Sequence, residues 1–140
     1  ARLEWDVQNA WYAADCPPLD FAALAAVPAE LHRRLRFRLA PAFHARSSAW
    51  PLAELWSGSA LAIVPQQQWL WIVRPDDLVH VVAVSAADFA FIAELANQAT
   101  LAEAIATTVR RHENFDVGHA LVRAAGLGLL AGFHLSGESP

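Results

Sequence analysis

The chain has 140 residues, 10 of them basic and 14 acidic, for a net charge of −4. That length fits one domain with a real core, and the negative balance argues against a protein that holds nucleic acid by unspecific charge. Cys16 is the lone cysteine and no apolar run is long enough to span a bilayer, so an internal disulfide and a membrane span are both excluded and a cytoplasmic location is expected.

Every basic residue is an arginine, and the sequence begins at Ala1 inside a helical pattern, which predicts a further region ahead of it. Residues 2–15 read as a helix: Leu3, Val7 and Ala10 or Trp11 recur at helical spacing, with Asp6, Gln8 and Asn9 elsewhere on the wheel. Pro17 and Pro18 stop it, because proline removes a donor and drives the preceding residue out of the α region. Asp20 is placed to cap a short alanine-rich helix, and Pro28 suits the start of another.

Residues 34–39 alternate strictly, with Arg34, Arg36 and Arg38 on one face and Leu35, Phe37 and Leu39 on the other. That is a half-buried strand with a basic outer stripe, suited to a solvated edge or to an acidic partner. Residues 42–49 read as an irregular link, and Trp50-Pro51 opens a short helix that Gly58 closes. Three apolar strand signals follow at 59–64, 69–73 and 78–84, separated by turn residues at Pro65 and Pro75. Trp69, Trp71 and Val73 alternate with Leu70 and Ile72, so both faces of that strand are apolar and both need cover. One face is expected on the helices that follow, the other on the N-terminal segment or a partner.

Ser85, Thr100 and Asp116 are placed to cap three helices, and Thr100 with Glu103 spells a capping box. The apolar stripes expected are Phe89, Ile92 and Ala96, then Leu101, Ile105 and Val109, then Val117, Leu121 and Ala125, with Gly126 ending the last helix. Residues 127–135 supply a final strand. The fold class is therefore α+β: N-terminal helices, then a three-stranded antiparallel meander followed by a three-helix, winged-helix-like unit. Residues 1–58 form a helical linker with one arginine-rich strand, and 59–135 a binding domain.

No catalytic signature stands out. His32, His44, His80, His112, His119 and His134 fall on unrelated elements, with no HExxH or CxxC, so no metal ligand set is expected in this chain. Cys16 sits at the wrong end of a helix dipole for an activated thiol, and neither a nucleophile elbow nor a phosphate loop is present. The layout points to a binding module and not an enzyme.

Several blocks carry a resemblance: Arg2-Leu3-Glu4-Trp5, Ala-Asp-Cys-Pro-Pro-Leu at 14–19, Leu35-Arg36-Phe37-Arg38-Leu39-Ala40-Pro41, Trp50-Pro51-Leu52-Ala53-Glu54-Leu55-Trp56, Ala87-Asp88-Phe89-Ala90-Phe91-Ile92, and Asn114-Phe115-Asp116 through Leu127–Phe133. In order and spacing the chain resembles the C-terminal domain of the HvfC/BufC family, often labelled a DNA-binding domain, of which the methanobactin accessory subunit MbnC is a distant relative. The resemblance implies an accessory subunit of a multinuclear non-haem iron enzyme (the HvfB/BufB/MbnB type) that modifies cysteines of a ribosomally made precursor peptide. It implies iron in the partner, no cofactor here, and a family N-terminal helical domain that this sequence lacks.

By layout analogy, a precursor leader would add as a strand beside the third helix, at Val79, Val81, Ala83, Val117 and Leu121. The enzyme partner would meet Arg36, Arg38, Trp69 or Trp71. The rival is a DNA-binding regulator. Its recognition helix would begin at Asp116 and offer Arg123 only late, which disfavours base readout and phosphate contact. Labelled random duplex titrated at physiological salt is accordingly expected to bind no tighter than about 10⁻⁴ M, the weak end of non-specific association; saturable micromolar binding with a steep salt slope would favour the regulator.

Overall fold

Local capping chemistry sets where the helices start. In the computed structural model, which describes residues 2–13, 19–58, 65–76 and 78–135, the side chains of Ser85, Thr100 and Asp116 accept backbone N–H bonds from Asp88, Glu103 and His119. These open α4 (Ala86–Ala96), α5 (Leu101–Arg111) and α6 (Val117–Gly126) where the sequence places them. Asp20 does the same for α2 (Phe21–Ala25), and Gly58, at φ 77°, closes α3 (Leu52–Ser57). A 3₁₀ helix, Ala29–Arg34, follows Pro28.

The fold is mixed α+β with two small antiparallel sheets. In one, β1 (Leu35–Leu39) pairs with β5 (Leu130–Leu135). In the other, β2 (His44–Ser48), β3 (Gln68–Val73) and β4 (His80–Val84) lie in that spatial order. The two ladders β1–β5 and β2–β3 tie residues before Gly58 to residues after it. Strand β2 corrects the sequence reading of 42–49 as a link. Its His-Ala-Arg-Ser-Ser has no apolar alternation, and the strand forms because β3 offers a full ladder from Ile72 opposite His44 to Gln68 opposite Ser48. The strand read at 59–64 lies outside the described residues, as do Cys16 and the proline stop at 17–18.

β3 is apolar on both sides, as its sequence implies, and each side has its own cover. Trp71, Val73 and the half-buried Trp69 pack with Val84 and the helices into the main core, around Phe91, Ile92 and Leu95. Leu70 and Ile72 turn the other way, into a second cluster with Leu3 and Ala10 of α1 (Arg2–Tyr12). The N-terminal helix is thus the second lid. Asp6, which the wheel puts on the wet side, is instead 5% exposed and takes a bidentate pair from Arg46 of β2, at 2.7 and 2.8 Å. Trp11 is half-exposed. Arg74 finishes the docking by donating to the carbonyls of Ala10, Trp11 and Ala13 at 2.7–2.9 Å, satisfying the orphan acceptors at the end of the helix.

Most of the stripe residues read in the sequence do face the core: Ile92 is buried, Phe89, Leu101, Ile105, Val117, Leu121 and Ala125 pack against it, and Ala96 is exposed. Asp88, Phe91, Ile92 and Leu95 are buried in α4; Ala104 and Thr108 in α5; Ala120 and Ala124 in α6, while Val109 is exposed. In α5 and α6 close packing decides the innermost positions. Where elements approach most nearly only a methyl or hydroxyl fits, so the largest apolar residues flank the contact instead of centring it. The left-handed residue after α6 is Gly128, at φ 73°, and not Gly126; a Cβ there would also meet the Cα of Pro75 at 3.0 Å. Among the described residues, no helix is long and apolar enough to cross a membrane.

Removing Arg46 leaves a buried carboxylate without its counter-ion. Arg46→Ala is expected to lower unfolding stability by about 2 kcal/mol or more, from the uncompensated charge, whereas the double variant Asp6→Asn/Arg46→Gln should lose clearly less. Urea unfolding of the three proteins checks this, and equal losses for the two variants would show that the pair acts through packing alone.

Candidate functional site

Strand pairing leaves one edge of the three-stranded sheet on β4, whose ladder partner among the described residues is β3. In an antiparallel edge strand the main-chain groups of every second residue face away from the neighbour. Arg123 of α6 donates to the carbonyl of Ala83 at 3.2 Å and lies 3.9 Å from the carboxylate of Asp88 in α4. This bond assigns Ala83, and in phase with it Val81, to the outward set. The structure therefore brings β4 and α6 together through Arg123.

The other residues expected in that groove are placed differently. Val79 and Val81 are half-buried and pack their side chains on the second cluster, over Leu70 and Ile72, while Ala83 is exposed. Val117 and Leu121 are half-buried on the main core. At 100° per residue Leu121 projects from the side of α6 opposite Arg123, and it lines a 460 Å³ apolar recess with Phe21, Leu24, Leu35, Phe37 and Leu101. Arg123 is the α6 residue turned to β4, and the sequence reading weighed it for DNA contact and not for this groove. Its helical phase relative to Leu121 was the available signal.

The candidate partner residues also separate. Trp71 is fully buried, edge-on to Phe43 with ring centroids 6.3 Å apart, so it serves the core; its indole N–H finds no acceptor among the described residues. Trp69 is half-buried against the same core. Arg36 and Arg38 do share the outer face of β1, Arg38 exposed and Arg36 half-buried, while Leu35 and Phe37 are buried. The nearest bond of Arg38 is a long one, 3.5 Å to the carbonyl of Ala131.

Electrostatics around this stripe centre on Glu103. Hydrogen bonds from the Thr100 hydroxyl and then the Thr100 N–H hold its carboxyl below the ordinary 4.5, with the charge of Arg36 adding to them against a small desolvation cost. Among the described residues, no group of three His, Cys, Asp or Glu side chains converges as a metal site would require.

Comparison with known proteins finds no matching family model, curated protein or solved structure.

The lowered Glu103 carboxyl carries a sign. Its contribution to stability is present above 4.5 and is lost as pH falls through the still lower value in the folded chain. Thermal midpoints followed from neutral pH to below 4.5 should drop more for the wild type than for Glu103→Gln; parallel curves would show that the capping box does not feel the titration.

Proposed function

We propose that this chain is an accessory binding subunit, and not itself a catalyst. It presents a precursor leader peptide to a multinuclear non-haem iron enzyme of the HvfB/BufB/MbnB type, which holds the metal. The observation that carries the reading is the β4 edge, where outward main-chain groups at Val81 and Ala83 lie beside Arg123 of α6. An extended peptide adding there would gain backbone hydrogen bonds from the edge, and side chains of β4 and α6 would select its sequence. The order β3, β4, α4, α5, α6 supports a winged-helix-like unit within residues 59–135, acting in the cytoplasm on a ribosomally made peptide.

Arg123 sets a condition on such binding. An incoming strand needs the Ala83 carbonyl that the guanidinium now occupies, so the leader must displace or share that bond. The same engagement, with Asp88 close by, counts against α6 as a DNA recognition helix, since its late arginine is already spoken for.

The test titrates the full chain with a short Cys-rich precursor peptide, taken from the gene's neighbourhood where one is encoded there, with hydrogen exchange as readout. Slowed exchange of the β4 amides, foremost Val81 and Ala83, is the expected result. Binding with protection confined to other elements would move the site, and a chain that binds neither the peptide nor the neighbouring iron enzyme is not an accessory subunit of this kind.

A further inference from the structure

We propose that the outer face of the β1–β5 ribbon carries a carboxylate-binding site built from Arg38, His134 and Gln98, and that it receives acidic side chains of a partner protein. The register places Arg36 opposite His134 and Arg38 opposite Gly132, so alternation turns these four residues to one face. Beside them lies a recess of 310 Å³ lined by Arg38, Gln98, Phe133 and His134.

Three features of the backbone shape this face. The register shifts between Arg38 and Leu39, because Ala131 is inserted between the partners Leu130 and Gly132, and such a bulge re-aims neighbouring side chains. Gly132 has no left-handed backbone to explain it. What it supplies is room: a Cβ there would stand 3.0 Å from an outer nitrogen of Arg38 and 3.4 Å from its central carbon. The guanidinium thus lies over bare backbone, in space a Cβ would take. The third feature is Gln98, at φ 68° in the left-handed position after α4 that glycine ordinarily fills. A glutamine there is strained, and its side-chain amide makes no hydrogen bond among the described residues. Strain kept at a position that exposes a donor beside an arginine is the pattern of a site.

The donors fit a carboxylate. Arg38 offers a planar fork, Gln98 an amide N–H and His134 a ring N–H, while Phe133, opposite Phe37 and packed on the main core, borders the recess from within. Among the described residues no carboxylate pairs with Arg38, and the nearby Glu103 is held in its capping box. One guanidinium balances a single negative charge. A side-chain carboxylate carries that single charge and a flat pair of acceptors for the fork, whereas a phosphate dianion exceeds it, so an acidic protein segment is the favoured occupant. This deepens the accessory-subunit reading by giving the chemistry of its partner contact, and the site can be tested without that partner.

Isotope-labelled full chain is titrated with an oligoglutamate peptide, and in parallel with oligoglutamine, inorganic phosphate and random duplex DNA. Saturable shifts at the Arg38 side-chain N–H, the Gln98 amide and His134 are expected with oligoglutamate alone. Arg38→Gln should weaken binding roughly tenfold, the size expected for one charge-assisted hydrogen bond. Gln98→Gly should weaken it too while raising the melting midpoint, a pairing that damage to the fold would not give. No shift with oligoglutamate, or equal shifts with oligoglutamine, phosphate or duplex, overturns the proposal. Leader binding at β4 that persists while this titration fails would remove this site alone; the reverse would remove the strand-addition reading and leave this site standing.

Discussion

Arg46 and Arg74 reach from β2 and from the end of β3 to two points along α1, one to the Asp6 carboxylate and the other to the helix's last carbonyls. An eleven-residue helix does not hold itself together in water, and α1 carries exposed Trp5, Trp11 and Tyr12 on its far side. The two arginines fix it where Leu3 and Ala10 cover Leu70 and Ile72. Burying that leucine and isoleucine contributes roughly 3–6 kcal/mol at the usual value per side chain, a large share of the stability of an ordinary domain. Without the clamp β3 would have one wet apolar face, and the central strand of the sheet would have no reason to be apolar on both sides.

What could be read from the sequence was what is decided locally. A cap needs one side chain and the amide three residues on, so Ser85, Thr100, Asp116 and Asp20 announced their helices. The alternation of Leu35, Arg36, Phe37 and Arg38 fixed the faces of β1. What escaped depends on distant parts of the chain. His44–Ser48 is a strand because of β3, and Asp6 is buried because of Arg46, forty residues away. The helix stripes were legible in their large residues but not in their innermost ones: periodicity favours large residues, while Ala104, Ala120 and Ala124 mark where α5 and α6 come closest.

The candidate sites divide in the same way. Arg36 and Arg38 were legible as a stripe, but Gln98 and Gly132 join it only through the turn after α4 and the β5 register. On the other surface, β4 was legible as an edge, whereas α6 turns Arg123 toward it and Leu121 away. Both surfaces present arginine to main-chain carbonyls, at Ala83 and at Ala131, and in each the carbonyl holds a side chain that an incoming group would re-use. They lie on different sheets, so a peptide strand and an acidic partner need not compete for the same backbone.

The β1–β5 ladder also has a consequence for how the chain is made. Leu35 pairs with Leu135, so on the ribosome β1 emerges about a hundred residues before its only strand partner among the described residues. Through that interval two sides of an extended segment with buried Leu35 and Phe37 stand open to any passing strand. Contacts so distant in sequence close late and slow the folding of a domain. The arginines of the stripe then have a second use. Their like charge disfavours pairing between two copies of the waiting strand, as gatekeeper residues do beside apolar runs, so the charge that marks the finished surface also protects the nascent one.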